Sequence, residues 1–491
     1  MSQILSMPAD TTPIDSRQRI SRRQLLGSIG ASSVTVCLAG CIYRDEGGGG
    51  NTITFGFDPV QVRQNGDQIK QLFHEQGLSD DITIEFVEGS QDSSERRQSY
   101  TQLLQSDQAD PDLFLMDCGW TIPFIVGGNL LNLTAELSDN LLSTIENDYF
   151  SASVETAKDP DSGDLYGVPL FPDFSTIQYR KDLVTEAGYD PDGQGWATTP
   201  MTWKRFSTIA QDVRDTTDAD HGFVFQFDTY EGLSCCTFNE FMSSWGGAYF
   251  GGREHLFGPI GNRPITVDAE PVVTAVDMVR QFIHGGTDNE ALSGYRGSIA
   301  PSGVLSWKEQ DTLRAMESGT AVFMRNWPYT IASLAAEDAF GTDYGVMPLP
   351  YAVSPGNAQA TGTGGSTSAL GGWHITVNAN TNRTEMALEL IEVAMKDDFQ
   401  LGLLGITGWM PPKPALYDTR AATKQEPVGR YMETLQIAGT NAMPRPSTPV
   451  WPQQATTIYQ QVNAAAATDK PTTNAMTELK DKLRSIENEV T

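Results

Sequence analysis

Short apolar runs alternate along the chain with longer segments in which apolar side chains recur every three or four positions. Three runs rich in β-branched and aromatic residues predict buried strands, at residues 53–57, 82–87 and 113–116. The segments between and after them predict helices, at residues 68–76, 94–104 and 122–126. Strands separated by helix-length segments predict parallel β-α-β units with right-handed crossovers. The pattern therefore predicts an α/β fold.

An acidic residue stands directly after each predicted strand, as Asp58, Glu88 and Asp117. In open parallel sheets, ligands bind just beyond the carboxyl ends of the strands. Acidic residues are also common turn formers, and that interpretation is preferred for Asp58 and Glu88. Asp117 differs because Trp120 follows it closely, which brings a flat ring to the same sheet edge as a hydrogen-bond acceptor.

The first fifty residues have a different character. Arg22 and Arg23 precede an apolar run of moderate length, and small residues stand directly before Cys41. This segment, residues 1–40, resembles a twin-arginine export signal that ends in a lipoprotein signal peptidase site. The run is too short and too rich in Gly and Ser for a membrane-spanning helix. We therefore expect a lipid on the sulfur of Cys41 and a glycine-rich tether over residues 41–50, which would hold the protein at the extracellular face of the cell membrane.

The strongly negative net charge of the chain disfavours some classes of binding partner. The chain has 33 Lys and Arg against 62 Asp and Glu, a formal net charge of -29. Residues 1–40 hold four Arg and two Asp, so their removal gives -29 - 2 = -31. A surface this acidic disfavours nucleic acid and anionic lipid surfaces as partners. The acids are spread along the chain, which favours adaptation to molar salt, where the screening length falls to about 3 Å.

Cysteine and histidine usage predicts no metal site and no cofactor. After cleavage the remaining cysteines are Cys41, Cys118, Cys235 and Cys236. With Cys41 lipidated, the other three form no disulfide framework. A bridge from Cys118 to one of the vicinal pair stays open, and buried free thiols are preferred. The chain has no CxxC and no HExxH motif, and its five histidines are scattered.

Six motifs follow one another between about residue 53 and about residue 466. They are Pro111-Asp112; Tyr166-Gly167-Val168-Pro169 with Tyr179-Arg180-Lys181-Asp182-Leu183; Ser244-Trp245-Gly246-Gly247; Asn326-Trp327-Pro328-Tyr329; Gly371-Gly372-Trp373; and Arg445-Pro446. In these motifs the chain resembles the extracellular solute-binding proteins of ATP-driven (ABC) importers. Within that family it is most similar to the sugar-binding group, typified by maltose- and trehalose/maltose-binding proteins.

The resemblance implies a two-lobed periplasmic-binding-protein-like α/β fold with crossing hinge strands and a ligand cleft between the lobes. It places the first lobe at residues 51–172 plus 371–425, and the second at residues 173–370 plus 426–491. It also implies a set of ligand-binding residues: Asp117, Trp120, Asp173, Trp245, Trp327, Tyr329, Trp373, Arg445 and Trp451. These residue types suit a sugar, because flat rings cover its C–H faces while carboxylates and arginine hydrogen-bond its hydroxyls.

The function that follows is binding without catalysis. The resemblance implies a monomeric receptor that binds a sugar, a di- or oligosaccharide, closes around it by hinge motion and delivers it to the permease subunits of an ABC importer. Two alternatives stay open. One is a binding protein for a non-sugar solute such as glycerol phosphate or a polyamine. The other is a secreted glycoside hydrolase that uses Asp117 and Asp173 as its pair of carboxylates.

Overall fold

The computed structural model describes residues 50–358 and 362–489. The predicted export signal with Arg22 and Arg23, and the predicted lipid attachment at Cys41, lie outside the described residues. Within the described ranges, no helix combines the length and the apolar character that crossing a bilayer requires.

Strands and helices alternate along most of the described chain. The strands are β1 (Thr52–Phe57), β2 (Thr83–Glu88), β3 (Leu113–Asp117), β4 (Gly167–Phe174), β5 (Thr176–Arg180), β6 (His221–Val224), β7 (Ala321–Asn326), β8 (Tyr344–Met347), β9 (Ser368–Val377) and β10 (Ala442–Met443). The α-helices are α1 (Pro59–Glu75), α2 (Ser93–Gln105), α3 (Thr121–Val126), α4 (Asp139–Asp148), α5 (Ser151–Glu155), α6 (Lys181–Glu186), α7 (Trp203–Thr216), α8 (Phe238–Ser244), α9 (Glu270–His284), α10 (Glu309–Glu317), α11 (Tyr329–Leu334), α12 (Thr384–Ala394), α13 (Asp397–Thr407), α14 (Arg420–Thr423), α15 (Met432–Thr440), α16 (Trp451–Ala467) and α17 (Thr472–Asn488).

The first sheet is built on three parallel strands in the order β2-β1-β3. β9 continues it antiparallel to β3, and both β4 and β10 pair with β9. The predicted alternation of parallel strands and helices is confirmed for β1 to β3, whose bounds lie within one residue of the prediction. We call the elements packed around this sheet the first lobe.

The first helix is longer than the sequence pattern predicts. α1 begins at Pro59, well before the predicted start at residue 68. The carboxylate of Asp58 caps it by accepting hydrogen bonds from the backbone N–H groups of Val60 and Gln61, each at 3.0 Å. The early turns carry several polar residues, which hide the helical spacing of apolar positions from a sequence reading.

The second sheet has the order β6-β7-β5-β8 and forms the centre of the second lobe. β6 is parallel to β7, whereas β5 runs antiparallel to both of its neighbours. Three connections join the two lobes. Ser175 alone separates β4 from β5, residues 348–367 lead from β8 to β9, and residues 444–450 lead from β10 to α16. This is the two-lobed α/β architecture with crossing strands that the sequence predicts.

Each lobe has its own apolar core. The first contains side chains of β1 to β4, α1, α12 and α13. The second contains side chains of α7 to α9 together with the C-terminal helices α16 and α17. A third cluster joins residues near the crossing, among them Phe174, Leu370 and Leu435. The exact lobe boundaries given above stay a prediction.

A buried ion pair ties the crossing strands to the second lobe. Arg325 in β7 directs its guanidinium at Glu240 in α8, with N–O distances of 2.9 and 2.5 Å, and both side chains are fully buried. Glu240 also accepts hydrogen bonds from the hydroxyl of Ser175 and, at 3.0 Å, from the backbone N–H of Ala369. One carboxylate therefore contacts both Ser175, between β4 and β5, and the start of β9, where the chain crosses between the lobes.

Removing this carboxylate is expected to destabilise the fold strongly. Glu240→Ala leaves the charge of Arg325 buried without its partner, which typically costs about 3–5 kcal/mol. Asp481→Ala is the matched control, because the ion pair of Asp481 with Arg484 is exposed and 3.5 Å long, and such pairs contribute about 0–1 kcal/mol. Denaturant unfolding in molar KCl measures both losses, and equal losses would contradict the role given to Glu240.

Candidate functional site

A cavity of about 430 Å³ lies between the two lobes. The first lobe lines it with residues at the carboxyl end of its sheet and at the start of α2: Gln91, Asp92, Ser93, Ser94, Asp117, Asp173, Gly371, Gly372 and Trp373. The second lobe and the last connection supply the opposite wall: Tyr230, Glu231, Gly232, Cys235, Cys236, Lys308, Glu309, Trp327 and Arg445. The position agrees with the rule that ligands bind beyond the carboxyl ends of parallel strands.

Strand register brings the first-lobe residues together. Asp117 at the end of β3 pairs with Trp373 in β9, and Asp173 in β4 pairs with Gly371. Gly372 has a φ of +115°, and a Cβ there would lie 2.5 Å from the carbonyl oxygen of Phe171, so no larger residue fits. The glycines bring the two strands close together beside the cavity.

Arg445 connects the two walls of the cavity. Its guanidinium lies 3.2 Å from the Asp117 carboxylate of the first lobe and 3.6 Å from the Glu231 carboxylate of the second. It also packs on the backbone of Gly119, where a Cβ would come within 2.6 Å of it. Burial raises the pKa of Asp117 above its ordinary value, and the charge of Arg445 opposes that rise. The Asp117 carboxylate therefore already forms an ion pair with Arg445.

Asp173 is the cavity carboxyl that lies next to the crossing between the lobes. It lies in β4, two residues before Ser175, and is partly exposed to the cavity. Burial raises the pKa of this carboxyl to about 7, while Arg325 and the backbone N–H of Phe174 oppose the rise. Asp173 can therefore donate as well as accept a hydrogen bond near neutral pH.

Two half-buried tryptophan rings face the cavity from opposite lobes. Trp373 belongs to the first lobe, and its ring meets the ring of Trp120 edge to face with centroids 5.5 Å apart. Trp327 belongs to the second lobe, and its ring lies close to Gly371, where a Cβ would be 3.4 Å from Cζ3. The rings offer flat apolar surfaces next to the carboxylates of Asp117 and Asp173.

The second-lobe wall contains residues that the sequence did not predict as ligand-binding. The hydroxyl of Tyr230 donates a hydrogen bond of 2.7 Å to Glu309 at the start of α10. Cys235 and Cys236 lie on a wide π-type helical turn, Leu233–Thr237, that leads into α8. These two cysteines and Cys118 are buried free thiols. This agrees with the preferred thiol state and not with a bridge.

The lining is acidic. Its charged residues are five carboxylic acids, Asp92, Asp117, Asp173, Glu231 and Glu309, against two cations, Lys308 and Arg445. Both cations lie near carboxylates, since Lys308 is 3.9 Å from Asp228. The cavity therefore has no concentration of positive charge that would recognise a phosphate or another anion.

Five of the nine predicted ligand-binding residues line the cavity and four do not. The five are Asp117, Asp173, Trp327, Trp373 and Arg445. The four outside the lining are Trp120, Trp245, Tyr329 and Trp451. Trp120 and Trp451 are only 2% and 1% exposed, because Trp120 packs behind Trp373 and Trp451 packs on Tyr249. Trp245 packs on Tyr295, and Tyr329 is 44% exposed with its hydroxyl accepting a hydrogen bond from Gln310.

One missed region had a usable signal in the sequence. Asp92 follows the second predicted strand and caps α2 by accepting a hydrogen bond from Glu95 N–H at 3.0 Å, so the strand-end rule that found Asp117 applies to this segment too. Tyr230, Glu231 and Glu309 carried no such signal, because only the packing of the second lobe brings them to the cleft. Asp58 and Glu88 act as structural residues, Asp58 as the cap of α1 and Glu88 as an ion-pair partner of Arg63 at 2.7 Å.

Comparison with known proteins places these features in a family. Residues 69–428 match the profile of the bacterial extracellular solute-binding proteins. A probable ABC transporter-binding protein of Deinococcus radiodurans is 28% identical over 402 residues, which cover 81% of this chain and 84% of the relative. The family and this relative are binding proteins and not enzymes, as the sequence predicts.

Solved structures share the fold over most of the chain. The maltose-bound T. maritima protein MalE3 has a TM-score of 0.69 at 25% identity and covers 88% of this chain and 99% of its own. The GacH receptor of Streptomyces glaucescens, solved unliganded and with acarbose, has a TM-score of 0.66 at 18% identity and covers 89% of this chain and 98% of its own. UgpB of Mycobacterium tuberculosis, solved with glycerophosphocholine, has a TM-score of 0.66 at 17% identity and covers 91% and 100%. These likenesses confirm the two-lobed fold.

The raised pKa of Asp173 predicts a pH-dependent stability. Because the folded state holds this proton up to about pH 7 and the unfolded chain loses it near the ordinary value of 3.8, the proton's contribution to stability is lost as the pH rises through 7. Asp173→Asn removes this loss. We expect the variant's melting temperature, relative to the wild type, to increase from pH 5 to pH 8. A constant difference across that range would contradict the assignment.

Proposed function

The chain belongs to the bacterial extracellular solute-binding proteins, the receptors of ABC transporters, and from this premise we propose that it binds a neutral sugar, a di- or oligosaccharide, in the interlobe cavity. The observation that carries the proposal is the pairing of two tryptophan rings, Trp327 and Trp373, with the carboxyl groups of Asp117 and Asp173 around one cavity. Rings cover the C–H faces of a sugar, and carboxyl groups bind its hydroxyls.

The charges of the cavity favour a ligand without negative charge. A phosphate would meet five carboxylic acids and two cations that are already near carboxylates. This makes glycerol phosphate a poor ligand. A polyamine stays as the second candidate, because the acidic lining would attract a cation. The maltose-bound neighbour supports the sugar.

The proposed mechanism is closure of the two lobes around the ligand. Ser175 between β4 and β5, and the first residues of β9, lie where the chain crosses between the lobes. Small φ and ψ changes at such positions are sufficient for a hinge motion. Ligand contacts made by both lobes would favour the closed state, and the closed monomer would then dock on the permease subunits of the importer.

Sugar binding is tested by a thermal-shift panel of mono- and disaccharides and polyamines in molar KCl, followed by calorimetry on the hits. A ligand at 100 times its Kd should stabilise the protein by about 2.7 kcal/mol. Trp327→Ala should raise the Kd at least about tenfold, because it removes a stacking surface. Trp307→Ala, which truncates a half-buried ring outside the cavity, should leave the Kd within about twofold. Stabilisation by polyamines alone would replace the sugar with the second candidate.

We further propose that the protein is exported by the twin-arginine route and anchored by a lipid on Cys41. The support is the sequence alone: the Arg22-Arg23 pair, the short apolar run and the small residues before Cys41. An anchor would keep the receptor within reach of its importer, which raises the effective concentration of the pair. The net charge of -29 would suit export into molar salt.

The anchor is tested by cell fractionation. Cys41→Ser should move the protein from the membrane fraction to the medium, because the residue that would carry the lipid is gone. Cys118→Ser, which changes a thiol of the folded domain, is the control and should leave the protein in the membrane fraction. Release of the wild type would contradict the anchor, and intracellular retention of Arg22→Lys with Arg23→Lys would support the twin-arginine signal.

A further inference from the structure

Each of the two cavity tryptophans has a buried arginine stacked on its ring. The Cζ atom of Arg96 lies 4.5 Å from the ring centroid of Trp373, and the Cζ atom of Arg325 lies 4.4 Å from that of Trp327. Arg96 is 1% exposed and Arg325 is fully buried. Both rings line the cavity and neither arginine does.

The first arginine is held rigidly in the first lobe. Arg96 donates from Nη2 to the Asp58 carboxylate at 3.1 Å and from Nε to the carbonyl of Ser90 at 2.8 Å. Gly89 leaves the space it needs, since a Cβ there would lie 2.9 Å from the Arg96 Nε. Asp58 is itself fixed by capping α1. The guanidinium behind Trp373 therefore cannot turn away without losing these bonds.

The second arginine is held in the same manner in the second lobe. Arg325 pairs with Glu240 and also donates from Nη1 to Gln226 Oε1 at 3.1 Å. The two sites are not structurally equivalent, because Arg96 lies on a helix and Arg325 on a strand. Their shared arrangement is a carboxylate that orients an arginine, which in turn supports a tryptophan at the cavity wall.

A stacked guanidinium has two effects on a ring. It restricts the ring's rotation, since tilting the ring breaks a desolvated cation–π contact. It also engages the negative face of the ring's quadrupole, so a second cation on the opposite face would be repelled by the first. A neutral C–H surface carries no charge and suffers no such repulsion.

We propose that Arg96 and Arg325 are positioning residues of the ligand site, which orient Trp373 and Trp327 and make their cavity-facing surfaces favour a neutral ligand over a cation. This inference rests on the proposed function of the cavity. It goes further by assigning the choice between a sugar and a polyamine to two residues that do not touch the ligand. It also explains how an acidic cavity can still prefer a neutral solute.

The test uses Arg96, because Arg325 also stabilises the fold through Glu240. The variants are Arg96→Met, which removes the charge, and Arg96→Lys, which keeps it. Lys70→Met is the matched control, since Lys70 lies 5.4 Å from the ring of Phe86 in the first lobe, away from the cavity. The probes are glucose and glucosamine, which differ by one cationic amine, titrated by calorimetry at pH 6 in molar KCl.

We expect Arg96→Met to shift the ratio of the two affinities toward glucosamine by about fivefold, and Arg96→Lys to restore most of the wild-type ratio. Lys70→Met should leave the ratio unchanged. In ligand-free protein, near-ultraviolet circular dichroism should lose tryptophan signal in Arg96→Met. The same substitution made in a Trp373→Phe background should cause no further loss, because the two residues act through one contact.

The outcomes separate the two claims. If wild-type protein binds neither these sugars nor any sugar of the panel, the proposed function fails, and the circular dichroism of ligand-free protein still decides whether Arg96 positions Trp373. A folded Arg96→Met variant with the wild-type affinity ratio overturns the selectivity. A wild-type tryptophan signal in that variant overturns the positioning. If Arg96→Met does not fold, Arg96→Lys is measured in its place. Retention of the affinity ratio and of the tryptophan signal supports the proposal, and loss of either one overturns the corresponding claim.

Discussion

The buried pair of Glu240 and Arg325 is the interaction on which the arrangement of lobes and cavity depends. Two buried charges are costly unless hydrogen bonds satisfy them, and here Ser175 and Ala369, where the chain crosses between the lobes, supply donors to the carboxylate. The guanidinium of Arg325 also stacks on the ring of Trp327. The crossing between the lobes and one wall of the cavity thus share a single ion pair.

An arginine also connects the two walls of the cavity. Arg445 lies on the last connection between the lobes and contacts a carboxylate of each, Asp117 and Glu231. Because these carboxylates already pair with its charge, the groups that remain available to a solute are the rings and carboxyl groups of the cavity. In a two-lobed binding protein, a ligand that contacts both lobes does so best when the lobes approach, and such a difference between states favours the closed one.

Local patterns predicted some site residues and could not predict others. Asp117 and Trp373 were found because strand ends and glycine-flanked rings are visible in the sequence, and the register of β3 and β9 brings them together. Trp120 also follows a strand end and a glycine, yet it is buried. Whether a ring faces the cavity or the core depends on what packs behind it, and for Trp120 that is Tyr100, with ring centroids 6.0 Å apart. The local sequence around a ring does not show which distant residues will pack against it.

The sequence by itself determined the α/β class, the first parallel strands and the two-lobed family, because apolar periodicity and short motifs depend on residues close together in the chain. It also determined the acidic charge, which needs no fold. Only the tertiary structure decided the partners of Glu240 and Arg96. Both are paired with residues distant in sequence, Glu240 with Arg325 and Arg96 with Asp58 and Trp373. Such pairs form when lobes and sheets pack, and packing is a property of the whole chain.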